Sequence, residues 1–160
     1  MRFCKAMQLV LKHYTEYHVV CAGGGSFTAR EIETIGSNIN KFHQLNLDDK
    51  QLAEVYRCAQ CFVFPSEYEG FGIPILEAFA NKCPAVLSNT SSLPEVALGA
   101  AEYFDPLNFE DMADKICFVL ENAELREKLK TRGLERLKDF SWDKAADETL
   151  KSYENARKDV

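Results

Sequence analysis

The sequence predicts an α/β fold with a doubly wound parallel sheet, and three observations carry the prediction. Short apolar runs alternate with amphipathic helical patterns along the whole chain, which is the order of βαβ units. One run, "CFVF" at 61–64, has no polar alternation, as expected of a central parallel strand covered on both faces. The connections are short and carry glycines or helix-capping pairs, so each strand passes quickly into the next helix.

Taken in order, residues 4–15 read as a helix with Met7, Val10, Leu11 and Tyr14 on one face. "YHVVCAG", 17–23, is a short apolar strand running into glycines. Thr28 with Glu31 makes a capping box for a helix to about 37. "INKFHQL", 39–45, is the next strand. Asp48 with Gln51 caps a helix that carries Leu52, Val55, Tyr56 and Ala59. The strand "CFVF" leads through a turn into the helix "ILEAFA", and "PAVLS" is the strand after it. "SLPEVA" is a helical turn and "AAEYF" a short strand. Asn108 opens a helix through about 122, and two more cover 123–138 and 142–157. There is no internal repeat, low-complexity tract or long linker. A doubly wound half-domain normally opens with a strand, but this chain opens on a helix. Either "MRFC" is the stub of a strand or the first strand is absent, which reads as the C-terminal piece of something larger.

A chain of 160 residues fits one domain. With 46% hydrophobic and 28% charged residues it can bury a substantial core. The formal net charge of -6 argues against a nucleic-acid binder. It does not oppose a site for one phosphorylated small molecule, which needs only a few local donors. No run approaches the ~20 apolar residues of a membrane span. The first helix holds Lys5, Lys12 and His13 among its apolar positions and lacks the h-region of a signal peptide. The six cysteines fall mostly within strands and helices and read as reduced, buried and cytosolic. Cys58 and Cys61 form a CxxC with no second pair, and His43 is not at metal-ligand spacing. Two small core residues at a helix-to-strand junction are the better reading.

The chemistry concentrates in "PSEYEGFGIPILEA", 65–78. In open parallel sheets, ligands bind outside the carboxyl ends of the strands, and this segment follows "CFVF". Gly70 and Gly72 let the backbone approach a ligand and permit unusual φ values. Pro74 suits the first helical position. The free N–H groups of the helix start, with the positive end of its dipole, suit phosphate or sugar oxygens. Glu77, in the helix's first turn, can accept hydrogen bonds from vicinal hydroxyls such as those of a ribose, and Glu69 can do the same for a hexose. Taken singly, the dipole explains a glutamate there and a tight turn explains Gly-Phe-Gly. Together, in this order at a strand's carboxyl end, they point to a site.

"FVFPSEYEGFGIPILEA" resembles the signature of the family 4 retaining glycosyltransferases of GT-B fold, whose hallmark is two glutamates separated by seven residues, here Glu69 and Glu77. The likeness continues through "PAVLSNTSSLPEVA", "AEYFDP" and "FSWDKAA" and covers nearly the whole chain. It implies a Rossmann-like doubly wound parallel sheet, the C-terminal half of a GT-B glycosyltransferase. That single donor-binding domain would span 1–160, with 141–160 the terminal crossover helix and the N-terminal acceptor domain absent. The resemblance implies transfer of a hexose from a nucleotide-diphosphate sugar to a glycan or lipid-linked acceptor, with retention, as in surface polysaccharide synthesis. Glu77 would bind the ribose and Glu69 the donor sugar. The backbone of Gly70, Phe71, Gly72 and Ile73 would hold sugar and diphosphate. Lys5 would match the family's diphosphate-neutralising lysine, and Arg2 its arginine, at a spacing one residue short. No cofactor or metal is implied. The implied location is cytoplasmic, at most peripheral to the inner face of a membrane. The chain departs from the pattern at Lys82, where glycine is usual, and at Leu98-Gly99-Ala100-Ala101, where many members read Gly-Asp-Ala-Ala.

Other readings compete. The chain alone could be a non-catalytic nucleotide-sugar-binding module that needs a separate N-terminal half or forms a homo-oligomer. A nucleotide-sugar 2-epimerase would need acid/base residues that the cleft segment lacks. "CAGGGSFT" offers G-x-G for a dinucleotide, but Thr28 stands where the third glycine belongs. A loop bordering the nucleotide-sugar cleft through Gly24 is the better reading. His43, Leu45 and Asn46 either border the base or are an ordinary strand end. Trp142 is expected to pack on the domain's own core. Tyr153 and its neighbours are expected to form an exposed patch or dimer contact if the other half is missing.

Overall fold

The computed structural model describes residues 1–158. Helix α1, Arg2–His13, buries Cys4, Ala6, Met7, Val10 and Leu11 along one stripe. It begins at Arg2, so "MRFC" is helix and not the stub of a strand. Strand β1 is Val19–Ala22. Helix α2, Ala29–Ile35, starts from the expected capping box: Glu31 N–H donates to the Thr28 hydroxyl, and the Glu31 carboxylate accepts the Thr28 N–H at 2.8 Å. A 3-10 turn, Gly36–Lys41, takes the residues Ile39, Asn40 and Lys41 that the sequence assigns to a strand, and β2 is only Phe42–Leu45. Helix α3, Asp49–Cys58, carries the second capping box, from Asp48 and Gln51. Then come β3, Phe62–Phe64, α4, Ile73–Ala80, β4, Ala85–Ser88, α5, Leu93–Ala97, and β5, Ala101–Phe104. Three helices close the chain: α6, Phe109–Glu121, α7, Ala123–Leu137, and α8, Trp142–Lys158.

Every strand pairing is parallel. The strands form two sheets instead of one, β1-β2 and β3-β4-β5. Between β1 and β3 lies a cavity of about 760 Å³ bordered by residues of both strands. Two layers of helices cover the strands. On one face α1, α2 and α6 meet the sheets through Val10, Ile35, Phe42, Val86, Phe104 and Ile116. On the other, Ile75 and Phe79 of α4 and Leu93 of α5 pack on Ala85, Leu87 and Ala101. Gly133 lets α7 approach α4: a Cβ there would sit 2.6 Å from Phe79 Cδ1.

The strand buried along its whole length is β4, which turns Ala85 and Leu87 to one core and Val86 to the other. Strand β3, expected to be the covered one, is only half-buried, because its flank toward β1 is open to the cavity. The expectation for Trp142 fails too. All residues of α8 through Arg157 are exposed, Trp142 at 83%, so the helix packs on neither core. Tyr153 and Leu150 lie on the same uncovered helix, at 68% and 60% exposure. Asp159 and Val160, at the end of the expected crossover segment, lie outside the described residues. No described helix is long and apolar enough to cross a membrane. Cys4 and Cys83 are buried as expected, but Cys58 at the end of α3 is exposed. Burial pushes the Cys61 and Cys83 thiols up to about 12, so both stay protonated at neutral pH.

Candidate functional site

The loop that leaves β3 passes over the carboxyl end of the sheet and turns into α4 at Gly72. That residue has φ +107°, in the left-handed region, and it caps the helix with no side-chain hydrogen bond. A Cβ there would also meet Ile75 Cδ1 at 3.0 Å and Leu93 Cδ2 at 3.1 Å. Gly70 has an ordinary φ and open space beside it, so of these two glycines Gly72 is the one that needs glycine's conformational freedom. Because Gly72 is the cap, α4 starts at Ile73. Pro74 is therefore at the second helical position, not the first, and Glu77 lies one turn in, not in the first turn. No side chain caps α4; Pro74 has no N–H and Ile75 N–H already donates to the Gly72 carbonyl at 2.9 Å, which leaves the Ile73 amide for a ligand's oxygen.

The loop after β4 clasps this loop. The Ser91 hydroxyl accepts from Glu69 N–H at 3.2 Å and donates to the Glu69 carbonyl at 2.6 Å. The Ser92 hydroxyl reaches the carbonyls of Glu69 at 2.9 Å and Phe71 at 3.1 Å. Thr90 donates to the Glu67 carbonyl at 3.2 Å. The backbone of Glu69 is thereby fixed, while its half-buried carboxylate makes no hydrogen bond among the described residues. Phe71, 41% exposed, packs edge-on against Phe140. The other side of that contact is braced by Arg136, whose guanidinium lies over the Phe140 ring and donates to the Val96 and Glu95 carbonyls.

Glu77 is half-buried and has one side-chain partner. The Tyr56 hydroxyl of α3 donates to Glu77 Oε2 at 3.3 Å and lies 3.5 Å from the Pro74 carbonyl. Burial, and next the Glu77 charge, raise the Tyr56 hydroxyl well above the usual tyrosine value. It therefore remains a donor at any working pH.

The basic residues are divided. Arg2, at the head of α1, forms an ion pair with Glu67 at 2.5 Å and so reaches the 65–72 loop. Lys5 is exposed, with its ammonium 5.4 Å from the centre of the Phe109 ring, and touches neither Glu69 nor Glu77. Gly24 lies in the loop beyond the carboxyl end of β1, where the Gln44 amide donates to the Gly23 and Gly24 carbonyls at 3.2 and 3.4 Å. His43 is not at the cleft. It pairs in register with Val20 and hydrogen-bonds His18, which precedes β1, at 2.7 Å. Only Leu45 and Asn46 lie at the carboxyl end of β2. No group of three metal-capable side chains occurs among the described residues.

Sequence reasoning missed Tyr56, Ser91 and Ser92. Tyr56 looks like any apolar position on the inner face of α3. The serines sit in "SNTSSLPE", which reads as a turn.

The family model for glycosyl transferases group 1 matches residues 2–136. O-antigen chain mannosyltransferase B of Escherichia coli is 41% identical over 105 residues, which is 66% of this chain and 28% of that protein. The chain therefore spans little more than a quarter of that relative's length. Among solved structures, sucrose-phosphate synthase of Thermosynechococcus elongatus overlays with a TM-score of 0.81 at 20% identity, covering 99% of this chain and 43% of that one. The C-terminal domain of a glycosyl transferase group 1 family protein from Francisella tularensis overlays at 0.71 and 23% identity, covering 86% and 76%.

Proposed function

The chain belongs to the glycosyl transferases group 1, and from that premise we propose that it holds a nucleotide-diphosphate sugar at the carboxyl end of β3 and serves transfer of the hexose to a glycan or lipid-linked acceptor, with retention. Its α/β fold is that of the C-terminal half of GT-B glycosyltransferases. The observation that carries the reading is the uncapped start of α4 behind Gly72, flanked by Glu69 and Glu77.

The Ile73 amide, with the positive end of the α4 dipole, would meet the diphosphate, where leaving-group charge develops. Arg2, already at the loop, would add a cation, and Lys5 would need to turn away from Phe109 to add a second. No metal has a role in this reading. Glu77, oriented by Tyr56, would accept from the ribose hydroxyls. Glu69 would accept from the hexose and position it. A mannosyl donor comes first among hexoses, because the Escherichia coli relative is a mannosyltransferase.

The alternative is a non-catalytic donor-binding module completed by a separate N-terminal half. The uncovered Trp142, Leu150 and Tyr153 of α8 favour it as a surface for that half. Turnover separates the two: transfer or hydrolysis by the 160-residue chain alone sinks the module reading.

The test of the site is a thermal-shift titration with UDP, GDP, ADP and their sugar conjugates, with Glu77→Ala as control. A nucleotide at a hundredfold over its dissociation constant adds about 2.7 kcal/mol to stability. One nucleotide should raise the melting temperature of the parent and not of Glu77→Ala. An equal shift in both removes Glu77 from the site.

A further inference from the structure

We infer that Thr90, Ser91 and Ser92 are positioning residues for the donor hexose: their hydroxyls set the backbone of the 66–71 loop so that the Glu69 carboxylate faces the sugar. The inference rests on the donor-site reading above and deepens it.

The loop has no frame of its own. Among the described residues no backbone group of 66–71 bonds to another backbone group. Its carbonyls are held by hydroxyls instead. Ser66 donates to the Tyr68 carbonyl at 3.2 Å, and Thr90 to that of Glu67. Ser91 and Ser92 both donate to the Glu69 carbonyl, which fills its two lone pairs. The Ser91 hydroxyl also accepts the Glu69 N–H. The loop after β4 thus binds both main-chain polar groups of Glu69, and the carboxylate is the group it leaves free for a ligand.

Both serines forgo a local preference to do this. Ser91 stands at φ +56°, in the left-handed region that glycine would occupy without strain. Glycine has no hydroxyl to offer Glu69. Ser92 stands at the N-cap of α5, where serine usually satisfies its own helix, yet it makes no such bond. Its hydroxyl proton is shared between the Glu69 and Phe71 carbonyls. A tie that served stability alone could fall anywhere along the loop, but this one converges on Glu69. A glutamate side chain is long and rotatable, so the direction in which its backbone launches it decides where the carboxylate can reach. A displacement of about 1 Å is enough to spoil the geometry of a positioning contact. Glu77 is placed independently, by α4 and the Tyr56 hydroxyl, so loosening the clasp should leave the ribose contacts as they are.

The decisive variant is Ser91→Gly with Ser92→Ala, since glycine accepts the left-handed φ and alanine the helical one. Calorimetric titrations pair each diphosphate with a hexose conjugate: GDP with GDP-mannose, UDP with UDP-glucose, ADP with ADP-glucose. For the pair that binds the parent, the variant should hold the diphosphate within about twofold and the conjugate about tenfold more weakly, the worth of one hydrogen bond to a charged group. In a Glu69→Ala background the same two substitutions should weaken the conjugate no further, because the carboxylate they aim is gone. Equal weakening of diphosphate and conjugate, an unchanged conjugate, or full additivity with Glu69→Ala overturns the inference and leaves the nucleotide site standing. A parent that binds neither member of any pair overturns both. Should the double variant not fold, Ser92→Ala alone decides by the same comparison.

Discussion

Replacing Gly72 with alanine forces a methyl group against Ile75 and Leu93 on a backbone already in the left-handed region. Strain and crowding act together, and the variant should lose about 1–3 kcal/mol in urea denaturation. Tyr56→Phe probes a different effect. It removes the donor to Glu77 Oε2 and leaves the ring packed edge-on against Phe62. One hydrogen bond to a charged group, long at 3.3 Å, should be worth about 1 kcal/mol, or roughly fivefold in nucleotide affinity. Calorimetric titration of parent and variant with the nucleotide that shifts the parent's melting temperature measures it. If the loss is equally large for the 2′,3′-dideoxy nucleotide, Glu77 is not acting on the ribose. The paired glutamates and Gly72 were legible in the sequence because they lie within one short segment. Tyr56 was not, because its partner is 21 positions away and only the packing of α3 on α4 brings them together.

At the scale of elements, local chemistry was readable wherever it was complete within a few residues. Both capping boxes formed as read, at Thr28 with Glu31 and at Asp48 with Gln51. Thr28→Ala should therefore cost about 1 kcal/mol in chemical denaturation. The same box sets a pH dependence. Hydrogen bonds from the Thr28 N–H, then from its hydroxyl, hold the Glu31 carboxyl below its ordinary 4.5. A depressed folded-state value means that this stability is fully present above pH 4.5 and fades as pH falls through the lower folded value. Glu31→Gln should remove that part of the acid limb in melting curves recorded below about pH 5, and an unchanged limb would exclude the box as its source. Strand covering was less legible. "CFVF" and "PAVLS" look equally apolar, but only β4 has bonded neighbours on both sides. Helix α8 misled for a related reason: helical spacing of Trp142, Leu150 and Tyr153 marks an apolar face without saying what covers it. Because α8 buries nothing through Arg157, truncation after Ser141 should leave the melting temperature within about a degree or two, by calorimetry.

Across the whole molecule, the alternation of elements dictated the α/β class and the parallel pairing. The break in the sheet could not be read, since apolar runs do not declare their spatial order. The break has a mechanical consequence. Among the described residues no strand pairing joins β1 to β3, so the half-sheets are held together through side chains, chiefly where α1 lies against α6. Such a joint is stiff in one direction and soft in another. Sliding is blocked by interdigitated side chains, while slight opening forfeits only weak dispersion contacts. An opening between the half-sheets would change the width between the loop that carries Gly24 and the loop that carries Gly70 and Gly72. In the proposed site those loops would be the two lips, and a ligand that touched both would act as a brace.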